Sequence, residues 1–308
     1  MIPLCPAEPT GRELEPLLSR RRYVEARQKA SEDSAFSRDR LLGSLLKTGL
    51  RLGGLYRRGL ANALRPVVRH RRLKFAGLPP GLDSFRILHL SDFHIDGVDG
   101  LAEIVAEQLA FLPVDLCVLT GDYRFHAYGP CDEIYPRMRR ILSAIRSRHG
   151  ILGILGNHDC ADIAVELEKL DVRMLVNESV QVGAPGRRLS VIGIDDPHAS
   201  LCADLAGAME SVPPREFKLL LAHSPELVRD AAAAGVDLYL TGHTHAGQIR
   251  LPWIGQVFTN ARCPRTYTSG HWRHGRMQGH TTAGVGCSML PVRFGCPPEI
   301  MVIELAKS

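Results

Sequence analysis

Five short apolar runs in this chain end on residue types that bind metal ions. The side chains at the ends of these runs are Asp92 and His94, then Asp122, Asn157, His223, and finally His243 and His245. Imidazole nitrogens together with carboxylate and amide oxygens suit divalent Mn, Fe, Zn or Co, and manganese is favoured. Seven ligands are too many for one tetrahedral zinc, so the set predicts two divalent metal ions that share a bridging carboxylate.

The elements that must position these ligands alternate between strand and helix. Apolar runs predict strands over 85–92, 115–122, 150–155, 217–222 and 236–240, and helices over 101–111, 132–148, 162–170, 201–209 and 225–234. Such alternation is typical of an α/β fold with a mostly parallel sheet, and ligands bind such sheets beyond the carboxyl ends of the strands. Two further strands, over 174–182 and 189–194, predict a second sheet.

Spacing suggests how the paired ligands are presented. Asp92 and His94 are two residues apart, and so are His243 and His245. On an extended chain, residues two apart point to the same face. We therefore expect each pair to aim both side chains at one metal.

The segment Asn157-His158-Asp159 carries two further candidate catalytic residues. His158 is outside the ligand set, so it is free to protonate a leaving oxygen as a general acid. Asp159 has two interpretations that the sequence leaves open. It either orients the ring of His158 through a ring nitrogen, or it caps the helix that begins near residue 162.

The order Asp-x-His, Gly-Asp, Gly-Asn-His-Asp, a lone His and Gly-His-Thr-His resembles the calcineurin-like metallophosphoesterase superfamily, over roughly residues 85–305. The resemblance implies two mixed sheets packed face to face with helices outside, a four-layer αββα sandwich. It also implies one metal held by Asp92, His94, Asp122 and His245. The other would be held by Asp122, Asn157, His223 and His243, with Asp122 as the bridge. Hydroxide activated by the two metals would then hydrolyse a phosphoester or phosphoanhydride.

Two stretches resemble a bacterial, often membrane-associated branch of that superfamily: GHTHAGQIRLP at 242–252 and PVRFGCPPEI at 291–300. Some members of this branch are pyrophosphatases that cleave UDP-2,3-diacylglucosamine in lipid A synthesis. A phosphate-containing, lipid-linked substrate is therefore expected, with Arg124, His126 and Arg250 as candidate substrate-binding residues. Aromatic and basic residues over 250–273 would contact this substrate, or would merely cover a sheet edge. A general phosphodiesterase, a nuclease and a non-catalytic membrane-bound scaffold remain alternatives.

Positive charge is concentrated near the N-terminus of the 308-residue chain. The net charge is +5, and residues 38–80 contain eleven Lys or Arg against one acid, Asp39. Residues 40–65 predict an amphipathic helix with a basic stripe opposite a leucine face, as in helices that lie on anionic membranes. The alternative is that the leucine face packs on the protein itself. The predicted division is a basic helical extension over 1–80 and a metallophosphoesterase domain over 81–308.

Cysteine usage and the lack of long apolar runs lead to expectations about the cellular compartment and partners. Eight cysteines show no C-x-x-C pair, which favours free thiols in a reducing compartment. The triple arginine at 20–22 lacks the apolar stretch of an export signal, and residues 1–37 suggest no chemistry. With no apolar run of about eighteen residues, we expect a cytoplasmic protein, peripheral on the inner face of the membrane. An anionic membrane surface is the expected partner. No nucleic acid is expected, because it would not need the leucine face, and no obligate protein partner is inferred.

Overall fold

Strands and helices alternate along residues 13–28, 43–184, 187–256 and 259–308, the part of the chain that a computed structural model describes. The strands are β1 Val67–Phe75, β2 Arg86–Leu90, β3 Leu116–Leu119, β4 Ile151–Gly153, β5 Val172–Met174, β6 Glu178–Val182, β7 Leu189–Gly193, β8 Phe217–Leu221, β9 Leu238–Thr241, β10 Arg250–Leu251, β11 Gly255–Gln256, β12 Gly270–His274, β13 Met277–Thr281 and β14 Glu299–Lys307. The helices are α1 Leu14–Gln28, α2 over 43–52, α3 Tyr56–Ala63, α4 Leu101–Leu109, α5 Ile134–Ala144, α6 Ala161–Glu168, α7 Leu205–Met209 and α8 Val228–Ala233.

Two six-stranded mixed sheets form the framework. Their strand orders are β1-β14-β2-β3-β4-β5 and β12-β13-β9-β8-β7-β6, and β10 and β11 make a separate hairpin. In the first sheet β2, β3, β4 and β5 are parallel, whereas β14 runs antiparallel to β2. In the second, β7, β8, β9 and β13 are parallel, with β6 and β12 antiparallel at the edges. The predicted α/β fold with two mixed sheets flanked by helices is confirmed.

Alternating side chains build the layers. Met301, Ile303 and Leu305 of β14 pack between the sheets, whereas Ile300 and Val302 pack beneath α4, α5 and α6. A third apolar cluster lies between the second sheet and helices α7 and α8. Helices therefore cover the outer face of both sheets, and the two inner faces share one core.

Parts of the N-terminal extension are packed into this domain. The segment 67–75, predicted as part of the basic extension, is strand β1 and pairs in parallel with β14. Leu14 and Leu18 of α1 join the core beneath the first sheet. The expected boundary at residue 80 therefore does not separate two independent units.

The helix predicted over 40–65 is broken in the middle. Its residues 43–52 form α2, Gly53 and Gly54 form a turn, and α3 follows. Gly54 has φ +68°, a left-handed conformation that favours glycine and ends a helix. Residues 40–42 lie outside the described part of the chain. Among described residues, no helix is long and apolar enough to cross a membrane.

Candidate metal centre

The predicted ligands follow strands of both sheets, and the fold brings them to one place. Asp92, His94 and His245 offer ligand atoms that all lie within 4.8 Å of one another. Asp122, His223 and a further histidine, His243, form a second group of the same kind. The site therefore lies where the carboxyl ends of strands from both sheets meet.

Asp122 lies between the two groups. Its Oδ2 is 3.5 Å from Nε2 of His94 and 3.2 Å from Nε2 of His223. Its other oxygen, Oδ1, accepts a hydrogen bond from the backbone N–H of His158 at 2.8 Å. A single carboxylate oxygen thus faces both groups, as a bridging ligand would.

Asn157 belongs to the second group. Its Oδ1 lies 2.7 Å from Nδ1 of His243. The other ring nitrogen of His243, Nε2, donates to the backbone carbonyl of Asn260. Asn157 and His243 therefore turn an amide oxygen and a ring nitrogen towards each other inside the site.

Backbone carbonyls fix the orientation of two ligand rings. Nδ1 of His94 donates to Arg124 O at 2.8 Å, and Nδ1 of His223 donates to Thr120 O at 2.6 Å. A carbonyl only accepts, so Nδ1 of each ring carries a proton and Nε2 is the nitrogen that a metal would bind. Nε2 of His223 is buried and lies beside Asp122 without a well-aligned hydrogen bond.

Burial shifts the pKa values of several candidate ligands. It lowers the pKa of His94 to about 3 and that of His243 to about 3, so both rings are neutral near pH 7. Burial also raises the pKa of Asp92 to about 6. For His223, burial alone would lower the pKa, but Asp122 raises it to about 10. His94 and His243 are neutral donors, and His223 becomes a donor once its second proton leaves, so with the buried carboxylates the residues fit a divalent metal centre.

The ligand backbone is not extended as expected. Asp92 has φ 51° and His94 has φ 38°, and Asp122, His243 and His245 are left-handed as well. The prediction that an extended chain aligns each pair is wrong, because tight turns after the strands place the side chains instead. Such conformations cost about 1–3 kcal/mol each outside glycine and persist only where surrounding structure holds them.

Asp159 has neither of the two roles expected for it. Its carboxylate accepts hydrogen bonds from the N–H groups of Asp122 at 2.7 Å, Tyr123 at 2.8 Å and Gly156 at 2.7 Å. Nδ1 of His158 lies instead 2.7 Å from Phe125 O. Helix α6 has no side-chain cap. Asp159 therefore ties the loop after β4 to the loop after β3.

His158 lies beside the ligand groups, and a ring nitrogen of His158 is within 4.8 Å of ligand atoms of His94 and Asp122. Its ring is half-buried, and its centroid is 4.8 Å from that of His94. Because Nδ1 donates a hydrogen bond to Phe125 O, Nε2 is the nitrogen available for proton transfer. Hydrogen bonding therefore leaves His158 with the free nitrogen that a general acid needs.

Among the candidate substrate-binding residues, Arg124 is buried, whereas His126 and Arg250 are exposed. Arg124 is buried, and its guanidinium donates to His158 O at 2.5 Å, Gly129 O at 2.9 Å and Ala127 O. Three of the five N–H groups of Arg124 thus donate to backbone carbonyls, and its expected contact with phosphate stays a prediction. His126 is exposed on the same loop. Arg250 is exposed in the β10–β11 hairpin.

Sequence patterns missed a buried arginine beside the metal ligands. Arg293 is fully buried, and its Nη2 lies 3.3 Å from Nδ1 of His245 and 2.7 Å from Ala283 O. Its position within the PVRF stretch gave no sign of this contact. Two further histidines, His280 of β13 and His89 of β2, are likewise buried.

Comparison with known proteins agrees with this geometry. The family profile of calcineurin-like phosphoesterases matches residues 85–247, just over half of the chain, and the chain belongs to that family. It is 29% identical over 279 residues to the uncharacterized metallophosphoesterase YkuE of Bacillus subtilis, covering 86% of this chain and 94% of YkuE. Over 252 residues it is 29% identical to the phosphodiesterase YaeI of Escherichia coli, covering 78% of this chain and 87% of YaeI.

A third relative is the transmembrane protein with metallophosphoesterase domain of Bos taurus. It is 32% identical over 216 residues, which cover 62% of this chain and 47% of that protein. Family membership and the clustered His and Asp ligands identify the chain as a phosphoester hydrolase with a divalent metal centre.

Proposed function

We propose that this hydrolase acts on a membrane-borne phosphate compound, with a nucleotide-linked lipid pyrophosphate such as UDP-2,3-diacylglucosamine as the first candidate. The observation that carries the proposal is a set of exposed apolar side chains on α2 and on the hairpin that follows the ligand His245, with basic residues among them. We call it the rim surface and define it by the exposed residues Leu45, Leu46, Leu52 and Leu55 near α2, Met289, and Leu251, Trp253 and Ile254 of the β10–β11 hairpin.

One segment joins the two halves of the rim surface. Met289 O lies 3.8 Å from the position that a Cβ on Gly43, at the start of α2, would occupy. Gln248 donates to Ser288 O at 2.9 Å, immediately before Met289. Gln248 in turn follows the ligand His245 by three residues and precedes the hairpin by two. The apolar side chains are therefore connected to the metal centre through short, hydrogen-bonded backbone.

Basic residues accompany these apolar side chains. Lys47 lies on α2, and Arg51, Arg57 and Arg58 are exposed on α2 and α3. Near an anionic lipid surface each such cation contributes about 1 kcal/mol, while exposed leucine and tryptophan side chains enter the headgroup boundary. The alternative that the leucine face packs on the protein applies to α3, where Gly59 and Ala63 are buried. It does not describe Leu45, Leu46 and Leu52.

The seven ligands would hold two divalent ions, and Asp122 would contribute to both sites. Such ions supply a nucleophile at neutral pH and offset the charge of phosphoryl oxygens. His158, protonated on both ring nitrogens, would donate its Nε2 proton to the leaving oxygen and return to the neutral ring, while its Nδ1–H stays hydrogen-bonded to Phe125 O. Asn157 and His158 are adjacent, so one loop carries both a metal ligand and the acid.

Acyl chains provide the test of the lipid substrate. The full chain, loaded with Mn²⁺, is assayed with UDP-2,3-diacylglucosamine in anionic vesicles and with its deacylated analogue. We expect kcat/KM to be at least about tenfold higher for the acylated substrate, because the rim surface holds enzyme and substrate at one interface. Equal values for the two compounds would exclude the membrane-borne substrate while leaving the hydrolase assignment intact.

A matched pair of variants tests the surface itself. Trp253 is fully exposed in the hairpin, and Phe111 is 84% exposed in the loop that leads into β3, at the opposite edge of the sheet from the site. Trp253→Ser should weaken flotation with anionic vesicles and lower turnover of the lipid substrate. Phe111→Ser should change neither. Equal effects of the two substitutions would argue against a defined membrane-facing surface.

A soluble phosphodiester is the second candidate substrate. The relative YaeI is named a phosphodiesterase, and it aligns over 78% of this chain. Turnover of a simple diester at a rate equal to that of the lipid compound, without any effect of vesicles, would favour this candidate.

A further inference from the structure

Helix α1 buries one arginine from a run of three. Arg21 is 2% exposed, whereas Arg20 is exposed and the side chain of Arg22 is 38% exposed. A guanidinium is removed from water at high cost unless acceptors satisfy its N–H groups. The partners of Arg21 therefore show what the burial achieves.

These partners are on the loop that carries Asn157 and His158. Nη2 of Arg21 donates to Gly156 O at 2.6 Å and to Asp159 O at 2.6 Å. The two carbonyls flank the metal ligand and the acid on either side. Arg21 thus binds the loop backbone immediately before Asn157 and immediately after His158.

A second bond of Arg21 joins the two sheets. Nη1 donates to the carboxylate of Asp195, in the loop after β7. The loop after β4 belongs to the first sheet and β7 to the second. Since both carbonyl bonds and this ion pair share one planar guanidinium, Arg21 fixes the distance between the two loops.

The same helix also holds the residue that follows the loop. Glu25, one turn after Arg21, accepts a hydrogen bond from Ala161 N at 2.9 Å, and its carboxylate lies 3.3 Å from Nε of Arg21. On the inner side, the Asp159 carboxylate binds the N–H groups of Asp122 and Tyr123. The loop is therefore clamped between Asp159 inside and Arg21 outside.

We propose that Arg21 is a positioning residue for the hydrolytic reaction, which makes α1 part of the active site. It holds the backbone of the loop over 156–159 so that Asn157 meets the ligand group and Nε2 of His158 faces the leaving oxygen. The inference rests on the proposed role of His158 and is independent of the lipid substrate. Nothing in the charged, mixed composition of residues 1–37 indicated this contact.

The test compares Arg21→Gln with Arg22→Gln in the full chain. Arg22 is the neighbouring arginine, whose ion pairs with Glu15 and Asp162 at 2.9 and 2.8 Å help to dock α1 but do not reach the loop. In Arg21→Gln we expect kcat on an ester with a poor leaving group to fall about tenfold or more, with KM within about threefold of wild type. The loss should be smaller for a good leaving group, which needs less protonation. Arg22→Gln should retain wild-type kcat.

Hydrogen exchange gives a readout that does not depend on activity. The N–H groups of Gly156 and His158 are bonded to Asp159 and Asp122 in the intact loop. In metal-free Arg21→Gln these amides should exchange about tenfold faster or more, and in Arg22→Gln at the wild-type rate. If Arg21→Gln fails to fold, Arg21→Lys replaces it, because one ammonium keeps the charge beside Asp195 but cannot span both carbonyls.

Two results would overturn the proposal. One is unchanged exchange and unchanged kcat in the Arg21 variant; the other is equal loss in the Arg21 and Arg22 variants, which would reduce Arg21 to helix docking. Faster loop exchange without any change in leaving-group dependence would instead contradict the role of His158, so the two failures are distinguishable.

Discussion

Metal binding to this site should release a proton from His223. Asp122 holds the pKa of His223 at about 10, so both ring nitrogens carry a proton at pH 7 in the metal-free protein. A metal needs the lone pair on Nε2, because Nδ1 is committed to Thr120 O. The ion bound by His223 must therefore displace one proton.

The expected stoichiometry follows from the pKa values of the ligands. At pH 7 His223 is almost fully protonated and contributes about one proton, and Asp92, with a pKa of about 6, contributes about 0.1. His94 and His243, with pKa values of about 3, contribute none. Because about one proton is released, the Kd for the metal should fall about tenfold for each unit by which the pH is raised between pH 7 and 9. This dependence should end as the pH passes about 10, where His223 is already deprotonated.

Calorimetric titration of the metal-free protein with Mn²⁺, in buffers of different ionisation enthalpy, measures this stoichiometry. The matched variant is His223→Asn, which keeps a ligand oxygen but has no titrating ring. Protons that come from any other group remain in this variant, so the wild type should release about one proton more. A binding enthalpy that is independent of the buffer, or equal release in both proteins, would refute the assignment of a protonated His223.

Two further perturbations address the acid and the turn beside Asp92. His158→Asn should lower kcat about 10²–10⁴-fold on a substrate with a poor leaving group and leave the metal content unchanged, since His158 is outside the proposed ligand set; kinetics paired with elemental analysis would reveal a wrong assignment if the metal were lost. Gly242→Ala should lower metal occupancy and activity together, because the new Cβ would lie 2.1 Å from Asp92 Oδ2. The control is Gly77→Ala, where nothing lies within 4 Å of the new Cβ, and comparable loss there would remove the steric explanation.

The clustering of the candidate ligands could be predicted because the signal is local. Each metal-binding residue type stands directly after an apolar run, and the fold confirms that these runs are strands of two mixed sheets. Asp92 and Asp122 meet because they follow neighbouring parallel strands of the first sheet, whereas His223 follows β8 of the second and reaches them through the packing of the two sheets. The sequence order of motifs carries this information without any knowledge of side-chain contacts.

The conformation and supports of the ligands could not be predicted in the same way. The left-handed backbone at Asp92 and His94 breaks the preference of these residues, and a pattern of residue types does not encode such turns. Arg21 lies 135 residues from Gly156 in the sequence. Helical periodicity can predict which face of α1 is buried, but it cannot predict which residue Arg21 binds. Arg124 was expected to bind substrate because an arginine near phosphate chemistry suggests it, whereas three carbonyls accept from its guanidinium.

These supports share one physical role. Arg21 and Arg124 donate to carbonyls of the loop after β4 or its neighbour, and Asp159 accepts from backbone N–H groups on both loops. Strained ligand turns persist only where the surroundings hold them from several sides, and these three side chains supply that restraint. Backbone groups occupy the carboxylate of Asp159 and three N–H groups of Arg124, so these side chains act on the backbone that carries the ligands. The exposed side chains Trp253 and Leu52 are not held in this way, which makes them the first residues to vary in a search for substrate contacts.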